Sequence, residues 1–145
     1  MIRKDKDEDQ DQDLQTKLIQ IRYLEEYSED LANRENVAVS TLNDVKNAED
    51  TIEELVEGKN LETMTYIGGG MYTPSNIGAT EKVLVNVGEN VVIEKNLKNA
   101  QIFLQERKSE IKDALNGIGQ QKQQAAYALQ RLRENVESTL RKKQS

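Results

Sequence analysis

Apolar residues recur at steps of three and four through the first third of the chain. They are Leu14, Leu18, Ile21, Leu24, Tyr27, Leu31, Ala38, Leu42, Val45, Ala48, Ile52 and Leu55. This spacing predicts a helix over roughly residues 13–57. Within it Leu24, Leu31, Ala38, Val45 and Ile52 keep a seven-residue repeat, the period of a left-handed coiled coil. A second series, Leu97, Leu104, Ile111, Ile118, Ala125 and Leu132, predicts another helix over roughly 97–141. Gly58 is placed to end the first helix in the left-handed conformation, and Asn96 to cap the second. Gly117 and Gly119 interrupt the second series, either as a weak turn that the helix tolerates or as a point of bending.

The two series fit an antiparallel hairpin. In one register Ile21 faces Leu132, Leu24 faces Leu129, Ala38 faces Leu115 and Leu42 faces Ile111. The same register sets Leu31 against Lys122 and Glu49 against Leu104, two mismatches. Charge favours the same pairing. Residues 1–13 hold six acids and three bases, and residues 131–145 five bases and two acids. An antiparallel arrangement brings these ends together, and each sign suits its end of the helix dipole. Residues 1–10 are expected to be a flexible acidic tail.

Between the helices the period changes. Met64-Thr65-Tyr66-Ile67 and Met71-Tyr72-Thr73 flank Gly68-Gly69-Gly70. Lys82 to Val87 and Val91 to Glu94 flank Gly88-Glu89-Asn90. Each set reads as a β-hairpin, with Val83, Val85 and Val87 on one face. Four short strands can neither close a barrel nor cover their own edges. The chain therefore calls for neighbours that complete the sheet through Tyr66, Ile67, Met71, Tyr72, Val83, Val85, Val87, Val91 and Ile93. The fold class is α+β, mainly α. Its parts are a tail (1–10), a coiled-coil helix (11–58), two hairpins (59–95), and a second coiled-coil helix with a basic tail (96–145).

Composition narrows the function. Of 145 residues, 36% are hydrophobic and 32% charged, with no Trp and one Phe, so material for a large spherical core is scarce. A net charge of −6 argues against nucleic-acid binding. There is no Cys and no His, which removes thiolate metal sites, cysteine nucleophiles and the usual proton shuttle. No apolar run approaches the ~20 residues of a membrane span, and the first residues do not form a secretory signal. A cytoplasmic location is expected, with no membrane partner and no metal or other cofactor.

Motif-like pieces do not complete. The run Asp5, Asp7, Asp9, Asp11, Asp13 lacks the Gly and Glu of a calcium loop, holding Gln10 and Thr16 at those positions. Gly58-Lys59-Asn60 lacks the rest of a phosphate loop, and Gly68-Gly69-Gly70 lacks dinucleotide spacing. Glu53, Glu54 and Glu57 lie on a solvated helix face. No catalytic constellation results, and an enzyme is not expected.

The order of long helix, two hairpins and long helix resembles the α-type subunit of prefoldin. The resemblance is carried by Tyr66-Ile67-Gly68-Gly69-Gly70-Met71-Tyr72, Lys82-Val83-Leu84-Val85-Asn86-Val87-Gly88 and Val91-Val92-Ile93-Glu94-Lys95-Asn96. It implies a heterohexamer of two α-type and four β-type subunits, archaeal in character. In that assembly pooled strands form a double β-barrel platform from which coiled coils project. It also implies ATP-independent holding of unfolded proteins at the coil tips and their transfer to a group II chaperonin. The tip residues here would be Leu14, Leu18, Ile19, Ile21, Leu132, Val136 and Leu140. Ile19 lies off the helical seam, and Leu14 and Leu140 sit at fraying ends, so these three are expected to be exposed. Leu18, Ile21, Leu132 and Val136 fit the seam as well as an open tip. A structural scaffold or filament subunit without clients is the alternative.

Overall fold

Two long helices bracket four strands in the structure, a computed structural model that describes the backbone of residues 2–144 and the side chains of 3–144. Helix α1 spans Ile2–Val56 and helix α2 Leu97–Gln144. Between them lie β1 (Leu61–Gly68), β2 (Met71–Ile77), β3 (Lys82–Gly88) and β4 (Val91–Asn96). The expected mainly helical α+β class is the one observed. Helix α1 starts earlier than the pattern predicts. Residues 2–10 continue it as helix rather than forming a loose tail, in a stretch with no Gly or Pro to break it. Met1 and Ser145, the outermost residues of the two expected tails, lie outside the described residues.

The helix ends follow local rules. The Gly58 N–H donates to the Leu55 carbonyl (3.0 Å) and the Lys59 N–H to the Glu54 carbonyl (3.3 Å), a Schellman closure. It needs a residue at positive φ, which Gly58 supplies at 77°. Lys59 then turns its ammonium to Glu57 at 2.8 Å. That hydrogen bond, with the charge of Glu57, holds the Lys59 ammonium above the usual lysine range. At the other end, Asn96 Oδ1 accepts from the Asn99 N–H at 2.7 Å and caps α2. Strand β4 thus runs directly into the helix. Gly117 and Gly119 are carried inside α2 as helical residues.

The chain divides into two compact units, Met1–Val39 with Ala114–Ser145, and Ser40–Asp113. In the first, Leu31, Ala125 and Leu129 are buried between antiparallel stretches of α1 and α2. In the second, Ile52, Leu55 and Ala100 form a core at the helix roots, and Leu61, Ile77, Val83, Leu97 and Leu104 pack against it. Val45 is also buried there. The heptad residues Leu24, Leu31, Ala38, Val45 and Ile52 are all buried or half-buried, as the seven-residue repeat predicts.

Ion pairs resolve both expected mismatches. Lys122 reaches past Leu31 to Glu35 (3.2 Å), one turn along α1, and Glu49 accepts from Lys108 at 2.9 Å rather than standing against Leu104. Long lysine stems cover apolar surface while their ammonium groups reach a carboxylate. Glu25 with Arg133 (2.8 Å) and Asp11 with Lys143 repeat the arrangement in the first unit. Side chains of Glu49 and Lys108 are largely shielded, and Glu49 Oε1 is buried without a hydrogen-bond partner.

Leu31→Ala empties a fully buried site and should destabilise the fold by about 2–5 kcal/mol, measured by thermal unfolding followed at 222 nm. Lys108→Met leaves the Glu49 carboxylate shielded and unpaired. It should cost about 1–3 kcal/mol, and combining it with Glu49→Leu should recover most of that loss.

Candidate functional site

The hairpins are built alike. In each, one extra residue bulges before a two-residue turn: Ile67 between Tyr66 and Gly68, and Val87 between Asn86 and Gly88. The turn residues all lie at positive φ, Gly69 at 60° and Gly70 at 77°, Glu89 at 49° and Asn90 at 61°. These are type I′ turns, whose twist matches that of the strands. Asn86 Oδ1 accepts the Gly88 N–H at 3.0 Å and sets the second bulge.

Each hairpin is a sheet of its own. Strand β1 pairs only with β2 and β3 only with β4, so every strand keeps one open edge. The register sorts the side chains. On β1–β2, Leu61 and Ile77 begin one face and pack on the helix roots. Farther out that face is hydroxylic, pairing Thr63 with Ser75 and Thr65 with Thr73. Thr65 and Ser75 share a hydrogen bond across it. The opposite face pairs Met64 with Pro74 and Tyr66 with Tyr72, the two rings 5.3 Å apart. Met64, Tyr66 and Tyr72 are exposed.

On β3–β4 the apolar residues occupy both faces. Val83 packs on the helix roots, and Val85 pairs with Ile93 on the same face. Leu84, opposite Glu94, is 74% exposed, and Val92, opposite Asn86, is exposed beside it. Between this hairpin and the helices lies a hollow of about 270 Å³, lined by Ala48, Ile52, Val85, Phe103 and Leu104 among others.

Of the residues expected to meet neighbours, Tyr66, Ile67, Met71, Tyr72, Val87, Val91 and Ile93 are exposed. Val83 and Val85 are half-buried, because Val83 belongs to the helix-root core and Val85 follows it on that face. Sequence reasoning missed Leu84 and Val92 because it read Val83, Val85 and Val87 as the one apolar face of the second hairpin, and it passed over Met64, which shares a face with Tyr66. The unbroken run Val83-Leu84-Val85 carried the signal, since apolar residues at consecutive positions mark a strand covered on both faces.

At the free helix ends, Leu14, Ile21, Leu132 and Val136 are half-buried seam residues. Leu14 departs from the expected exposure because both helices continue past it, joined by Asp11 and Lys143. Leu18 and Leu140 are exposed, and Ile19 is 70% exposed. Tyr23, which the heptad reading passed over, is 67% exposed and stacks on Tyr27 with ring centres 6.5 Å apart. Its four-residue offset from Ile19 places both on one helix face. Ile19, Gln20, Tyr23, Leu24 and Leu132 line an almost wholly apolar hollow of about 430 Å³.

Among the described residues no cluster of acids could hold a metal ion, and no helix is long and apolar enough to cross a membrane. The surfaces suit apolar contact.

The prefoldin family model, described as "Prefoldin subunit", matches residues 24–142. The chain belongs to the prefoldin family. It is 33% identical over 111 residues to prefoldin subunit alpha of Nitrosopumilus maritimus, covering 77% of each chain. It is also 33% identical over 99 residues to prefoldin subunit alpha of Thermofilum pendens, covering 62% of this chain and 75% of the relative. Its fold is similar to the prefoldin beta subunit from Thermococcus strain KS-1 (TM-score 0.62, 17% identity, 89% and 93% of the two chains). It is similar also to filamentous PFD from Methanocaldococcus jannaschii (TM-score 0.57, 15% identity, 84% and 96%). Membership of the prefoldin family makes the chain a chaperone-type subunit.

Replacing Val85 and Ile93 with Lys should leave the helical signal at 222 nm nearly unchanged while lowering the mass of any assembly seen by sedimentation. Charge on a sheet face that must be covered prevents covering it.

Proposed function

We propose that this prefoldin subunit is an α-type component of an ATP-independent holdase. Its hairpins join those of β-type subunits in a barrel platform, two α-type and four β-type chains together. Its helix ends capture unfolded proteins, which pass to a group II chaperonin in the cytoplasm. The observation that carries this reading is the pairing of open-edged hairpins, apolar and exposed, with a second set of exposed apolar residues at the helix ends, Leu18, Ile19, Tyr23 and Leu140.

The two surfaces suit different tasks. Open strand edges carry rows of unpaired N–H and C=O groups, which another strand satisfies with fixed register. The apolar side chains near the helix ends offer no such row of directional groups and suit non-specific apolar contact. Burying one of these side chains is worth roughly 1.5–3 kcal/mol. A single contact is therefore weak, and several contacts from several coils give avidity that still permits release. No reactive constellation is needed, so the action is holding rather than catalysis.

The alternative, a scaffold or filament subunit without clients, draws support from the fold likeness to a filamentous prefoldin. Light scattering of a denatured test protein separates the two. The assembled complex should suppress aggregation, and Leu18→Ser, Ile19→Ser and Leu140→Ser together should cut suppression several-fold with the complex intact. Absence of suppression at every ratio supports the scaffold. Full activity in the triple variant rules out these helix ends as the capture site.

A further inference from the structure

The open strand edges are not equal, and the single proline of the chain makes the difference. In an antiparallel pair, alternate residues turn their N–H and C=O toward the partner strand, and the residues between turn theirs away. On β2 this alternation is fixed in two ways. The pair Gly68 and Met71 closes the two-residue turn, so Met71, Thr73 and Ser75 face β1 while Tyr72, Pro74 and Asn76 face outward. Pro74 also has no N–H to give to β1, yet the register runs unshifted past it from Tyr66 with Tyr72 to Leu61 with Ile77. An outward position permits that.

On the open edge of β2 the Tyr72 and Asn76 donors therefore stand about 13 Å apart with none between them. The Pro74 ring occupies the place of the missing hydrogen and holds a neighbouring carbonyl away. On the other side of the same hairpin, the open edge of β1 presents Glu62, Met64 and Tyr66. Their row is complete, with donors about 7 Å apart. The second hairpin contains no proline, so neither of its edges is broken in this way.

We propose that a β-type subunit binds this hairpin first and chiefly through the open edge of β1, and that Pro74 leaves the β2 edge as the weak join at which the barrel closes. The inference rests on the platform reading above and deepens it by naming the edge. A strand laid along β1 satisfies each outward N–H and C=O from Glu62 to Tyr66. The same strand laid along β2 buries a carbonyl that finds no donor at Pro74. A net charge of −6 disfavours a second copy of this chain as the occupant. In the free subunit the broken β2 edge is also a poor template for unwanted strand pairing.

The test uses the full chain with a β-type prefoldin subunit, residue-resolved amide hydrogen exchange and native mass spectrometry. In the complex the amides of Glu62, Met64 and Tyr66 should exchange about a hundredfold more slowly than in the free chain, and those of Tyr72 and Asn76 no more than about tenfold more slowly. Met64→Pro moves the break to β1 without removing a hydrogen bond inside the hairpin. It should weaken assembly about tenfold relative to Met64→Ala, which keeps the N–H. Pro74→Val restores the β2 donor and should slow subunit exchange out of the complex several-fold. Equal slowing of the amides on both edges, equal assembly of the two Met64 variants, or an unchanged subunit-exchange rate in Pro74→Val overturns the proposal and leaves the platform reading in place. An assembly of this chain alone with its β1 amides protected overturns the choice of partner. If no complex forms with the β-type subunit, the platform reading falls and this proposal with it.

Discussion

A two-stranded hairpin cannot satisfy itself in water, and this chain contains two. Each strand pairs on one side only, and neither hairpin pairs with the other. Isolated hairpins of this size are marginal. These persist because Leu61, Ile77 and Val83 anchor their bases in the core made by Ile52, Leu55 and Ala100. Beyond that anchor Met64, Tyr66, Tyr72, Leu84 and Val92 stay largely exposed among the described residues. On the proposed platform reading, the residues that a lone subunit leaves exposed are the ones its neighbours would bury.

The helices answer a different constraint. Their shared seam is narrow, with few large residues fully buried, so electrostatics contributes to which stretches pair. Helix α1 carries sixteen acids and seven bases, and α2 ten bases and five acids. Four cross-helix ion pairs take their acid from α1 and their base from α2. Exposed pairs contribute little each, but reversing the pairing would set like charges together. With charge helping to define the pairing, apolar residues off the seam, such as Ile19 and Tyr23, are left for other contacts.

Periodicity made most of the fold legible. The heptad series, the Gly58 stop, the Asn96 cap and both Gly-containing turns were written in local signals, and each has a local physical cause. What escaped depended on distance or on both faces of one strand. Lys122 and Glu49 looked misplaced because facing positions were read as points, whereas a lysine stem spans a turn and joins Lys122 to Glu35 and Lys108 to Glu49. Leu84 and Val92 escaped because alternation was read on one face of their hairpin, whereas Met64, two residues from Tyr66 on β1, stood in reach of the same alternation. Tyr23 escaped because it lies off the heptad, although its four-residue offset from Ile19 already places both on one face of the predicted helix. Leu14 sits in the seam because the helices extend beyond it, and the acidic run at 2–10 gave no apolar sign of that.

The central claim is that the hairpins are incomplete without neighbours. Native mass spectrometry of the full chain, alone and mixed with a β-type prefoldin subunit, tests it most directly. The account predicts a six-subunit species containing two copies of this chain. A stable monomer at every mixing ratio, its β1–β2 and β3–β4 faces still open to solvent, would contradict it.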